Sequence, residues 1–531
     1  MMTYHIVVAT DLTDEGIAWL KNAPDIDIKT VSPNVGALRE ALKTANALII
    51  RDDIQVDADM LEDAPHLKVV GRPTAGLSGI DIEAATANGI IVMNTPGVSA
   101  VAAAEHTMAL MLTLSRRLIE AHNSMKAGFW LLDRKQQAGR QLHGKTLGII
   151  GSGRVGQVVA QMALGFGMKV IASDPYVRED QLADKRVILL GLRDLLGRSD
   201  FVTLHVPPTK ETLRMIDAER IKQMKTGAYL INTAFGKVWD ESAVADAIKT
   251  GHLGGVAVDV YPDEPPYNSP LIGLSGVIHT PHIAENTVEA TQDLSMQIVQ
   301  QVVDALRETD YRNVVNLPFL PGIDYERIRP YLVLAERIGR LFHALARNPI
   351  KWVGVDLRGD DVSGLVKPIT VAVLKGVLYP ILGDKVSYIN APILANERGI
   401  QVAQVKNLPV GDYANLVSCQ VVLEDGEEIV MAGTLLDGKE PHIMQINEYR
   451  MNFVPEGHLV VMGSYDQPGV IGKVGTLMAD NEINIASWHT GRAERAGHTL
   501  TILTLDNALP EVVLEILRNQ EFVRHAHQVE L

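Results

Sequence analysis

The chain has 531 residues, 47% hydrophobic, 21% charged and only 5% aromatic, with a net charge of −15 at neutral pH. Single cores stop growing near roughly 250–300 residues, so several domains are expected, and an acidic surface argues against nucleic acid and membrane as partners. The lone Cys419 permits no intramolecular disulfide, no stretch nears ~20 uninterrupted apolar residues, and residues 1–10 lack the basic-then-apolar pattern of a leader, so a cytoplasmic protein is the expectation.

In residues 1–98 short apolar runs (His5–Ala9, Ile26–Lys29, Ala47–Ile50, Lys68–Gly71, Ile90–Asn94) alternate with helical patterns such as Thr13–Lys21 and Val35–Thr44. This rhythm predicts a parallel sheet. One long helix, buried because it is apolar on most faces, is expected from Ala100 to about Lys126. A second series follows, with six strands at Thr146–Ile150, Lys169–Ser173, Phe201–His205, Ala228–Thr233, Gly255–Asp259 and Val277–Thr280, and predicts a doubly wound sheet. After a helix near Thr287–Arg307, residues 308–325 read as a linker through Asn316, Pro318, Pro321 and Gly322. A third α+β unit opens on a Leu/Ala helix, Tyr331–Arg347. The tail from about 457 reads β-α-β-β-α-β.

Strand Thr146–Ile150 runs into Gly151-Ser152-Gly153-Arg154-Val155-Gly156 and then a helix. Gly151 serves the tight turn, Gly153 lets a pyrophosphate approach the backbone, and Gly156 lets helix pack on strand. Asp174 ends the next strand, 18 residues after Gly156, where an acid meets a ribose hydroxyl and repels a 2′-phosphate. NAD is therefore favoured over NADP, the competing reading of Asp174 being a plain helix cap. His205, Pro207, Thr233, Ala234 and Asp259 lie at or just beyond further strand ends, the side on which open α/β sheets bind ligands. His282, after the sixth strand, suits a general base for a hydroxyl proton, and a carboxylate such as Glu264 would fix its tautomer. Taken alone, Glu264 reads equally as a cap or a surface charge.

These stretches, with Val69–Asn94, Ala102–Thr107, Asn390–Gly399, Gly433–Pro441 and Asp466–Gly475, resemble the D-2-hydroxy acid dehydrogenase family in its long, phosphoglycerate-oxidising form. The resemblance covers essentially the whole chain. It implies a substrate domain (1–98 with 286–315), an inserted NAD domain (99–285), an intervening domain (316–455) and an ACT-like regulatory domain (456–531). The implied activity is NAD-dependent oxidation of 3-phospho-D-glycerate, the first step of serine synthesis. His282 becomes the acid–base residue, also beside the cofactor, and Glu264 its partner. Thr74, Ala75, Gly76 and Leu77 match the loop that holds the substrate carboxylate, and Arg51 the arginine at the phosphate end. No metal is implied. A homodimer or homotetramer is, as is an L-serine effector meeting Asp466 through its amino group and Asn484 through its carboxylate.

The chain departs from the family where the substrate is gripped. In Asn232-Thr233-Ala234-Phe235-Gly236-Lys237, Phe235 stands where the family has its catalytic arginine. A phenyl ring cannot hold a carboxylate bidentately, and losing one such contact costs on the order of 10²–10³ in rate. Lys237, Arg72 and Arg134 are candidate replacements. Asp52 and Asp53 beside Arg51, Ser99 and Glu285 also differ from the family pattern. At this level, a dehydrogenase for another 2-hydroxy acid and a catalytically impaired NAD-binding regulator stay open as alternatives.

Overall fold

The chain's first apolar runs are strands β1 (Tyr4–Ala9), β2 (Ile26–Thr30), β3 (Ala47–Ile50), β4 (Val69–Arg72) and β5 (Ile91–Asn94), joined by helices α1 (Asp14–Asn22), α2 (Val35–Leu42), α3 (Ala58–Glu62) and α4 (Ile82–Ala87). They form a wholly parallel sheet in the order β2-β1-β3-β4-β5. β3, β4 and β5 are buried along their whole length, as parallel strands covered on both faces must be. The computed structural model describes residues 3–32, 34–51, 54–130, 138–318, 324–406, 408–410, 413–493 and 497–531. Two units are distinguished, Met1–Asp11 with Ile17–Asn94 and Ile298–Leu531, and, inserted into it, Leu12–Gly16 with Thr95–Gln297.

The inserted unit opens on α5 (Ala100–Arg116) and α6 (Leu118–Lys126). The single long helix expected there is broken, because Arg117 takes a left-handed conformation at φ 54°. α5 is buried against the sheet, whereas no residue of α6 is buried. The order continues β6 (Thr146–Ile150), α7 (Arg154–Gly165), β7 (Lys169–Ser173), β8 (Ile188–Leu189), α8 (Leu192–Arg198), β9 (Phe201–Leu204), α9 (Ala218–Gln223), β10 (Ala228–Asn232), α10 (Glu241–Lys249), β11 (Leu253–Val258) and β12 (Val277–His279). The sheet is parallel with seven strands, β12-β11-β10-β9-β6-β7-β8. Its additional member, β8, has two residues, too few to leave a periodic signal. The strand order reverses between β6 and β9, which opens a crevice at their C-terminal ends.

Helix α11 (Val288–Leu306) leads back into the first unit, followed by α12 (Tyr325–Leu345), β13 (Ile350–Arg358), α13 (Val366–Leu382), α14 (Ala391–Glu397), β14 (Gln401–Gln404), β15 (Leu416–Leu423), β16 (Glu428–Leu436), β17 (Glu440–Ile446) and β18 (Tyr449–Phe453). The linker is tied down at Asn316, which accepts from the Val92 N–H at 2.9 Å and donates to the Ile90 carbonyl at 2.8 Å; Pro321 and Gly322 lie outside the described residues. α12 starts before Pro330 and runs through it. Helix α13 was not legible because it is apolar all round. By length and composition residues 366–385 pass for a membrane span, yet 56% of that window is buried, as in a core helix. α12 and α13 touch backbone to backbone at Gly339 and Gly376, where a Cβ on Gly376 would lie 2.0 Å from the Glu336 carbonyl.

The tail comprises β19 (His458–Tyr465), α15 (Val470–Asp480), β20 (Ile485–Arg492), β21 (His498–Leu505), α16 (Glu511–Arg518) and β22 (Val523–Glu530), an antiparallel sheet ordered β20-β21-β19-β22. Val460, Met462 and Leu503 pack under α15 and α16, while Leu459, Val461, Leu500 and Ile502 join the core built around α12. Both faces of this sheet are therefore covered.

At the α12–α13 crossing the mostly buried Glu336 carboxylate meets Lys375 Nζ at 3.0 Å, Arg340 at 2.9 Å and the Tyr388 hydroxyl at 3.1 Å. Burial would raise its pKa, but these partners hold it below the ordinary value. Removing one partner of a buried pair is strongly destabilising. Lys375→Met is expected to lose up to about 3 kcal/mol, with part recovered in Lys375→Met/Glu336→Leu; urea unfolding midpoints check both.

Candidate active site

The glycine loop after β6 meets the steric demands of a dinucleotide site. Gly151 sits at φ 96°, and a Cβ there would lie 2.3 Å from the His205 carbonyl. A Cβ on Gly156 would meet the Gly151 carbonyl at 2.1 Å, so only glycine lets α7 close on the turn. Gly153 caps α7 and has nothing within 4 Å of its Cβ position, which leaves the helix N-terminus open to an anion. Arg154 and Val155 form the first turn of α7. The residues present thus fit NAD. Asp174 follows β7; its Oδ2 accepts the Ser152 N–H at 2.8 Å and its Oδ1 the Tyr176 N–H at 2.9 Å, so it also braces the glycine loop.

Further strand ends converge on the same crevice. After β9, His205 Nε2 lies 3.0 Å from Thr203 Oγ1, and Val206 and Pro207 follow. Thr233 directly follows β10 and its hydroxyl contacts Thr107 Oγ1 of α5 at 2.8 Å; the Ala234 N–H donates to Asn232 Oδ1 at 3.1 Å. Asp259 ends β11, but its side chain is wholly buried and is used within the protein. Its Oδ1 accepts from Thr280 at 2.6 Å and from the Ile283 N–H at 3.0 Å, and its Oδ2 from the Ala284 N–H at 2.9 Å.

His282 and Glu264 are brought into contact. His282 stands at φ 54° with its N–H on the Asp259 carbonyl, and its Nδ1 lies 2.8 Å from Glu264 Oε2. The other carboxylate oxygen of Glu264 takes the Tyr261 N–H at 3.0 Å, which fixes the carboxylate's direction. With Nδ1 held, Nε2 of the half-exposed imidazole is left to exchange a proton with a substrate. Phe235 is 45% exposed at the end of β10, and its carbonyl takes the Asn232 amide at 3.0 Å. Gly236 presses on the Tyr261–Pro262 backbone, which leads to Glu264, and Lys237 is exposed.

The other predicted residues belong to the first unit. Arg51 follows β3 at the strand-order reversal between β1 and β3, 3.9 Å from Asp11. Thr74, Ala75, Gly76 and Leu77 follow β4; the Ala75 carbonyl is held by the Asn94 amide at 2.8 Å, and Ala75 and Gly76 are exposed. Arg72 is no candidate for the missing arginine: it is fully buried, and its guanidinium donates to the carbonyls of Ser78, Arg51 and Ile54. It braces the backbone that follows β3 and β4. Arg134, Asp52 and Asp53 lie outside the described residues. In the tail, Asp466 pairs with Arg492 at 3.2 Å and Asn484 with Asp506 at 2.7 Å. Sequence reasoning missed His106, Thr107, Asn94 and Thr280. The first two lie in the quoted stretch Ala102–Thr107, but their partners are more than 120 residues away.

Residues 108–284 match the D-isomer specific 2-hydroxyacid dehydrogenase NAD binding domain, 327–447 the D-3-phosphoglycerate dehydrogenase intervening domain, and 458–522 the ACT domain. The D-3-phosphoglycerate dehydrogenase of Archaeoglobus fulgidus is 38% identical over 530 residues, 99% of this chain and 100% of that one. That of Methanocaldococcus jannaschii is 37% identical over 514 residues, 97% of each chain. Among solved structures, D-lactate dehydrogenase from Aquifex aeolicus, complexed with NAD and lactic acid, is 33% identical with a TM-score of 0.51, covering 57% of this chain and 96% of that one.

Two predictions follow from the crevice. Gly156→Ala should weaken NADH binding at least about tenfold, read by NADH fluorescence titration. Burial pushes His205 down from 6.5 to about 4, so the unfolded chain takes up a proton there that the folded chain refuses. Stability should fall as pH drops from 6.5 towards 4. His205→Gln should flatten Tm across that window.

Proposed function

Because the chain belongs to the D-3-phosphoglycerate dehydrogenase family, we propose that it is an NAD-dependent oxidoreductase converting 3-phospho-D-glycerate to 3-phosphohydroxypyruvate, the first step of L-serine biosynthesis. NAD, when bound, supplies the hydride acceptor. Gly151, Gly153, Arg154, Val155 and Gly156 hold its pyrophosphate and Asp174 its ribose. His205, Pro207, Thr233 and Ala234 line its path along the strand ends, and Asp259 shapes that path from beneath.

The observation that carries the reading is the 2.8 Å contact between His282 and Glu264, in a chain that matches phosphoglycerate dehydrogenases from end to end. Glu264 fixes the His282 tautomer and stabilises the imidazolium that forms when Nε2 takes the proton of the 2-hydroxyl. In the reverse direction the imidazolium returns that proton. The exposed backbone at Thr74–Leu77 receives the substrate carboxylate, and Arg51 the phosphate end. Lys237 is the cation nearest in sequence to Phe235, and it compensates for the missing arginine as a point charge without the guanidinium's fork.

Residues 1–98 with 286–315 act as substrate domain, 99–285 as NAD domain, 316–455 as intervening domain and 456–531 as the amino-acid-sensing tail. L-serine is the proposed effector, with Asp466 and Asn484 as its contacts. The assembly is a homodimer or homotetramer, and the protein works in the cytoplasm.

NADH oxidation with 3-phosphohydroxypyruvate, compared with 2-oxoglutarate, hydroxypyruvate and glyoxylate, tests the assignment. Phosphohydroxypyruvate is expected to be preferred, and preference for another acid would move the assignment to that substrate. Phe235→Arg should raise kcat/KM, by up to about 10²-fold if no other cation fills the role.

A further inference from the structure

The Asp259 carboxylate has no exposed surface, and burial alone would raise its pKa. Hydrogen bonds from His106, Thr280, and the N–H groups of Ile283 and Ala284 outweigh burial and hold it down at about 2. Three of these donors belong to Thr280–Ala284, the segment that carries His282. The fourth comes from α5: His106 Nε2 lies 3.4 Å from Asp259 Oδ1 and 3.2 Å from Thr280 Oγ1. Among the described residues, His106 is the only basic side chain paired with Asp259.

The other groups at this strand end do not replace it. Tyr261 places its hydroxyl 3.4 Å from His279 Nδ1 and from the Thr280 carbonyl. Burial and the carboxylates of Asp259, Glu241 and Glu264 push its phenol up to about 12, and burial pushes His279 down, so in both the charged form is disfavoured. Glu264 is committed to His282 and to the Tyr261 N–H.

We propose that His106 is a positioning residue for the acid–base pair: it steadies the Asp259 carboxylate, which clips the backbone after His282 and so aims the imidazole at Glu264 and at the substrate hydroxyl. This rests on the dehydrogenase reading above. A buried carboxylate that loses a donor swings to find another, and the two amide hydrogen bonds it holds loosen with it.

The test sets His106→Gln, whose amide Nε2 donates from the same place, against His106→Phe, which fills the space and donates nothing. His106→Asn, too short to reach, repeats the comparison with less disturbance of packing. Hydrogen–deuterium exchange of the full-length protein reads the clip without turnover. The Ile283 and Ala284 amides should exchange at least about tenfold faster in the Phe and Asn variants, and near the wild-type rate in Gln. With 3-phosphohydroxypyruvate, kcat should fall at least about tenfold in Phe and Asn, with KM and NADH affinity within about twofold, and Gln should recover it to within about threefold. Unchanged exchange in all three variants overturns the proposal, as does equal loss of kcat and NADH binding irrespective of the residue placed at 106. If the wild type reduced no 2-oxo acid while exchange still separated Phe from Gln, the dehydrogenase reading would fall and the clip would stand.

Discussion

The segment that carries His282 is held by a carboxylate with no exposed surface. Asp259 closes β11 with both oxygens turned inward, and the chain that follows β12 is wrapped over it. The left-handed backbone at His282 is an unusual conformation for a residue with a Cβ, and it is held by the same aspartate through its own carbonyl. His282 and Glu264 are carried on separate loops, and both side chains are partly exposed. Catalytic residues carried on loops need such support from rigid elements beneath them.

Much of this was legible in the chain itself. The apolar runs of the two parallel sheets, the glycine fingerprint and the β-α-β-β-α-β tail all carry periodic or positional signals, and their residues fall where those signals put them. Elements with no period did not declare themselves. β8 is too short, α13 has no polar face, and the break between α5 and α6 turns on one arginine in a conformation that sequence gives no reason to expect. The site divides the same way. Candidate residues carried by local motifs could be named from the chain, whereas Arg72, Asn94 and His106 make contacts that only the folded chain creates.

Arg72 shows how charge at a site can mislead. Its sequence neighbourhood offers it as a substrate ligand, yet it is the carbonyls of three loop residues that claim the guanidinium. A buried arginine satisfied by backbone oxygens sets loop shape, and the loops it shapes then present Arg51 and the exposed Ala75–Gly76 backbone.

The tail sheet is sandwiched between its own helices and the core around α12. A sheet with both faces covered leaves its outer strands, β20 and β22, and the loops at its ends for contact with anything else. It also serves as the floor of its neighbour. Cutting the chain before residue 456 would remove Leu459, Val461, Leu500, Ile502 and Val529 from the core they share with α12, so the tail cannot be shed as an accessory and has to evolve in step with the domain it packs on.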